Sequence, residues 1–161
     1  MELVGVRVEI PANTPMLLLR ERDGAHRLLP IYIGNPEAAS IHSALEGVEP
    51  PRPMTHDLMC TVIEDLGATW NSVEITEVRD HTFFAELVLT TAEGTSIRVS
   101  ARPSDACALA VRAAVPIFAA DAVLDEAGRR DAENDDEEQA AEIIDEFQSF
   151  LENVNPEDFA S

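Results

Sequence analysis

The first third of the chain alternates like a sheet. In "LVGVRVEI" (3–10) Val4, Val6, Val8 and Ile10 fall on one face, the period-2 signature of a half-buried strand. "PMLLLRE" and "RLLPIYIG" predict two more strands, split by the turn sequence "RDGAH". The period then lengthens. "NPEAASIHSALEG" predicts a helix with Asn35 as N-cap, Pro36 in the first turn, Glu37 behind it, Gly47 as the stop, and Ala38, Ile41 and Leu45 as its apolar stripe. After a proline-rich link, Met54–Leu66 predicts a second helix ended by Gly67, with Leu58, Met59, Val62, Ile63 and Leu66 turned inward. "NSVEITEV", "TFFAELVLT" and "TSIRVSA" predict three further strands, "SDACALAVRAA" a helix, and "VPIFAADAVLDEAG" a short strand and short helix.

The second half repeats the grammar of the first. Aligning Glu37-Ala38 with Asp105-Ala106 superposes Ile41 on Leu109, Leu29 and Ile31 on Ile97 and Val99, Thr14 on Thr82, and Leu19 on Leu87. The expectation is an α+β fold of duplicated βββα units sharing one mostly antiparallel or mixed sheet, with helices packed on it. Residues 1–128 would form this body. Residues 129–161 would form an acidic linker and an amphipathic helix carrying Ala140, Ile143, Ile144, Phe147, Leu151 and Val154 at helical spacing.

Composition narrows the partners. All eleven basic residues are arginine and the net charge is -20; residues 121–161 hold 15 acids against 2 arginines, net -13, which leaves -7 for residues 1–120. Neither part carries the basic stripe of a protein that grips nucleic acid by its phosphates, so contact with RNA or DNA would use local arginines, a metal or a basic partner and be weak overall. No apolar run approaches the ~18 residues of a membrane span. No secretory leader follows Met1, and Cys60 and Cys107 sit in apolar helical patterns without metal or redox spacing. A cytoplasmic protein with reduced thiols is expected. Open meander edges and the loose tail helix predict a homo-oligomer, a dimer first.

Chemistry concentrates at two helix entrances, Arg52-Pro53-Met54-Thr55-His56-Asp57 and Arg102-Pro103-Ser104-Asp105. Each reads as capping, with Thr55 or Ser104 as the cap and the aspartate favoured by the helix N-terminus, a role worth about 1 kcal/mol. Each also reads as half of a polar site. In that reading His56 is a general acid or base, Arg52 and Arg102 are forks for phosphate oxygens, and Asp57, Asp105 and Glu37 are hard ligands for Mg²⁺ or Mn²⁺. Lone His26 and His81 fall in turns, and His42 lies beside Glu46 on a helix flank.

Taken in order, "PIYIG" with "EAASI", "RPMTHDL", and "RPSDACALAVR" with "PIF" resemble the bifunctional nuclease domain family across residues 1–127. The resemblance implies a compact α+β domain, DNase and RNase activity, and a polar signature on Glu37, Arg52, Thr55, His56, Asp57, Arg102, Ser104 and Asp105. Ser100 departs from it, standing where many relatives carry an acid that would help hold a metal. Two functions follow as expectations. One is a cation-dependent nuclease. The alternative is a non-catalytic interaction or regulatory module, in which the Arg/Asp helix starts are structural and the acidic tail helix binds a partner.

Overall fold

A computed structural model describes residues 1–9 and 12–130. The expected tail helix and linker beyond Arg130 lie outside the described residues. Three antiparallel strands, β1 (Glu2–Glu9), β2 (Thr14–Arg20) and β3 (Leu28–Tyr32), form one sheet in the order β1-β2-β3. Two helices follow, α1 (Asn35–Leu45) and α2 (Thr55–Asp65). A second meander, β4 (Thr69–Arg79), β5 (Thr82–Thr90) and β6 (Ser96–Ala101), leads into α3 (Pro103–Ala113), β7 (Ile117–Ala119) and α4 (Asp121–Ala127). The second sheet runs β6-β5-β4-β7, with β7 parallel to β4.

The fold is therefore α+β, but with two sheets where the pattern predicted one. Period-2 alternation fixes which face of a strand is wet; it does not say which edges meet. One core nevertheless runs through both sheets, with Leu17, Leu19, Leu29, Ile31 and Ile41 from the first half and Val73, Ile75, Leu87, Leu89, Ala106 and Leu109 from the second. Small residues make this possible: Ala106, Ala108 and Ala110 let α3 press against α1 on one side and β4 and β5 on the other.

The ungapped alignment of the two units keeps faces but not register. Leu19 pairs with Leu29, whereas Leu87 pairs with Val99 rather than Ile97. The slip is an even number of residues, so the same face still points inward. In β1 a bulge between Leu3 and Gly5 shifts the phase. Leu3 and Val6 then reach the core while Val8 is 53% exposed, so Val4, Val6 and Val8 do not act as one buried face.

The largest departure is α2. None of its residues is buried, and Leu58, Met59, Val62 and the following Leu66 are exposed where an inward stripe was expected. Only Cys60 and Ile63 touch the core. The helix rests chiefly on α3, touches α1 through His56 and Ser40, and leaves its outer apolar face uncovered. No described helix is long and apolar enough to cross a membrane.

Candidate active site at the junction of three helices

The three acids singled out in the sequence occupy one position of three helices. Counted from their N-caps Gly34, Met54 and Arg102, Glu37, Asp57 and Asp105 each stand third in α1, α2 and α3. The expected caps Asn35, Thr55 and Ser104 are instead inside their helices, and no N-cap side chain accepts the capping hydrogen bond. In α2 the acid answers an exposed amide instead. Asp57 Oδ2 accepts from the Met54 amide at 2.9 Å, the return half of a capping box. At Gly34 a Cβ would collide with the Glu37 carboxylate, so the absent side chain makes room for that acid.

Arg102 ties two of the entrances together. Its guanidinium donates to both oxygens of Asp105 at 2.8 and 3.1 Å and reaches Glu37 Oε1 at 2.9 Å. His56 joins from α2, with Nε2 at 3.2 Å from Asp105 Oδ1 and Nδ1 at 2.9 Å from the Ser40 hydroxyl of α1. Asp57 points the other way, to Arg112 of α3, whose Nε donates at 2.5 Å. That arginine also donates to the backbone carbonyls of Ser40 and Ala108 and so clamps the three helices together.

Electrostatics follow from these contacts. Hydrogen bonds from Arg112, then from the Met54 amide, hold the Asp57 carboxyl below its ordinary range. At Asp105 burial pushes upward, but hydrogen bonds from Arg102 and His56 outweigh it and leave that carboxyl low as well. Both are carboxylates at neutral pH. Arg102, 65% exposed at the side chain, is held cationic by Asp105 and Glu37.

Two clefts meet at Arg102. One, about 570 Å³, lies between α1, α2, α3 and β6 and is lined by Ser40, His56, Asp105 and Arg102 over an apolar floor that includes Leu109 and Val99. Ser100 and Thr55 stand on its wall. The other, about 420 Å³, is lined by Tyr32, Glu37, His81, Phe83, Arg102 and Ser104. Arg52 is exposed in the link before α2 and lines neither cleft.

The expected cation set is not assembled. Glu37 and Asp105 converge on a guanidinium, Asp57 turns to a different one, and among the described residues no three His, Cys, Asp or Glu side chains gather as an ion's donor set. A ready cage for Mg²⁺ or Mn²⁺ built from Glu37, Asp57 and Asp105 does not fit this arrangement. Two members of the site escaped sequence reasoning. Ser40 lies three residues after Glu37 and Arg112 seven after Asp105, one and two helical turns from their acids, and only the packing of α1 on α3 shows that they matter.

An α+β domain with paired strand-strand-strand-helix units and an Arg/Asp/His cluster at their helix starts is the class defined here. The comparisons make it specific: residues 17–131 match the bifunctional nuclease domain, and the chain belongs to that family. An uncharacterized protein of Mycobacterium tuberculosis is 45% identical over 98% of this chain and 95% of its own length. Bifunctional nuclease 2 of Oryza sativa subsp. japonica is 32% identical over 70% of this chain, and bifunctional nuclease 1 of Arabidopsis thaliana is 31% identical over 66%. The chain spans about a third of the length of these plant relatives.

Proposed function

We propose that this domain is a nuclease that hydrolyses phosphodiester bonds of RNA or DNA in the cleft between α1, α2, α3 and β6. The observation that carries the reading is the His56–Asp105 pair beside the exposed guanidinium of Arg102. Asp105 accepts from His56 Nε2 and fixes the ring, so Nδ1, which faces the Ser40 hydroxyl, is placed to take or return a proton as general base and acid. Arg102 presents donors to phosphate oxygens, and in this reading the exposed Arg52, in the link before α2, adds a second fork. The body's net charge of -7 over residues 1–120 supports weak binding of nucleic acid through these local contacts rather than a long basic track.

The test is incubation of the full chain with RNA and single-stranded DNA, comparing wild type with His56→Ala and Asp105→Asn. Loss of cleavage in both variants is expected. Absence of cleavage by wild type, or unchanged rates in both variants, sinks the reading. Parallel reactions with EDTA, Mg²⁺ and Mn²⁺ measure cation dependence separately, since the scheme runs no step through a metal.

A second reading rests on one specific observation: Glu37, Asp57 and Asp105 each already hold an arginine. In that reading the cluster is a clamp joining the helices, and the domain is a non-catalytic interaction module. Folded, stable and inactive wild-type protein would favour it. Under either reading we propose self-association as a dimer, supported by the exposed apolar face of α2 and the open outer edge of β6.

A further inference from the structure

Serine inside a helix ordinarily turns its hydroxyl back to the carbonyl four residues earlier. Ser40, in the second turn of α1, does not: its Oγ lies 2.9 Å from His56 Nδ1. The far nitrogen of that ring is 3.2 Å from the Asp105 carboxylate, which Arg102 grips with two hydrogen bonds. Three residues from three helices thus line up as hydroxyl, imidazole and carboxylate along the wall of one cleft. This is the arrangement that activates a hydroxyl: a base within hydrogen-bond reach of the nucleophile, itself oriented by a third group. With a neutral ring, the Asp105 carboxylate can only accept, so Nε2–H is given to it and the Ser40 O–H to Nδ1.

We propose that Ser40 is a nucleophile, activated by His56 and Asp105, that takes the phosphoryl group of a phosphodiester as a covalent ester. Ser40 Oγ attacks phosphorus as the bond to the departing nucleoside oxygen breaks. The hydroxyl proton passes to His56 Nδ1 and from there to the departing oxygen. In the second half a water oxygen attacks phosphorus, its proton moves to His56, the phosphorus–Oγ bond breaks, and Ser40 recovers the proton. Charge on the non-bridging oxygens is met by Arg102, which the cleft exposes beside Asp105. This deepens the nuclease reading by replacing a directly activated water with a side chain, and it can be tested apart from that reading.

The probe is a tagged fluorophosphonate, a phosphorus electrophile, incubated with the full chain at neutral pH and located by peptide mass spectrometry. An adduct on Ser40 is expected. It should form about 100-fold more slowly or worse in His56→Ala, the scale on which a positioned base acts. His56→Gln, with a polar side chain of similar length, stands in should His56→Ala fail to fold. Ser40→Ala should melt like wild type, take no label at that position, and lose cleavage of RNA or DNA. No adduct on Ser40, or equal labelling in His56→Ala, overturns the proposal. So does full cleavage by Ser40→Ala while His56→Ala is dead, which leaves the nuclease reading standing. An adduct on Ser40 in a protein that cuts no nucleic acid keeps the nucleophile and removes the nuclease reading.

Discussion

The third strands of the two units make the most instructive contrast. In β3, Leu29 and Ile31 are 0% and 4% exposed. The residues that the sequence alignment sets against them in β6, Ile97 and Val99, are 37% and 42% exposed. Both strands close a meander and carry the same alternation, so the difference lies in what lies over them. The first sheet is covered by α1; the second has α3 over β4 and β5 and α4 against β4, and no helix packs extensively on β6. The helix that could have closed that side, α2, stands off on α3 and leaves the larger cleft open. The candidate site therefore lies where β6 is left without a covering helix, and Arg102 is exposed there.

The contrast can be broken by experiment. Ile31→Ala should cost about 2–5 kcal/mol, as for a buried aliphatic, whereas Val99→Ala should cost less than about 1 kcal/mol; urea unfolding of both variants reads the difference. Equal losses would mean that β6 is covered in solution, by a second copy first of all. Next in size is Arg112→Met, expected to cost about 1–3 kcal/mol, since it strands Asp57 and removes donors from two helix carbonyls. Arg102→Met, at the exposed end of the cluster, should leave the melting temperature close to wild type and lose cleavage. That pair separates the clamp from the site.

Acid stability should sharpen the same map. Glu21, bonded to Arg27, is held down at about 2 from an ordinary 4.5, and Asp57 is also held low, chiefly by Arg112. A depressed carboxyl stabilises the fold above its unfolded value and loses that contribution as pH falls through its folded value. Stability should therefore be flat near neutrality and decline from about pH 4.5 toward pH 2. In Arg27→Met the decline should be shallower, and thermal melts across this range measure it. The smallest effect belongs to Leu66→Ser, on a residue 76% exposed, expected within about 0.5 kcal/mol. Sedimentation of that variant should show a weaker dimer than wild type.

How much of this was legible follows from the range of each signal. Strand-strand-strand-helix order, the turns at His26 and His81, and the three helix starts are local, and each follows from a few neighbouring residues. The caps missed by one position at Asn35 and Thr55 and by two at Ser104, and in α2 the acid third in the helix, Asp57, takes the Met54 amide that a local cap signal leaves unassigned. The buried stripe assigned to α2 failed for a different reason: amphipathic spacing says a helix has an apolar face, not that something covers it. Ser40 and Arg112 were invisible because their partners come from other helices. The metal set expected on Glu37, Asp57 and Asp105 is not assembled among the described residues, because shared position in three helices does not make three side chains converge, and these carboxylates pair with Arg102 and Arg112.

One further contact changes how the chain must reach this state. Leu28, at the start of β3, exchanges both backbone hydrogen bonds with Arg129 at 2.7 and 2.8 Å. The two residues are about 100 apart, and closing so long a loop costs entropy that local contacts cannot repay early. This staple is therefore expected to form late, after each meander has found its own pairing. Until it does, the last turn of the body is free to fray, and the two meanders are held together chiefly through α1 and α3. The helices that carry the candidate nucleophile and its carboxylate would also be the ones that bring the halves of the protein together.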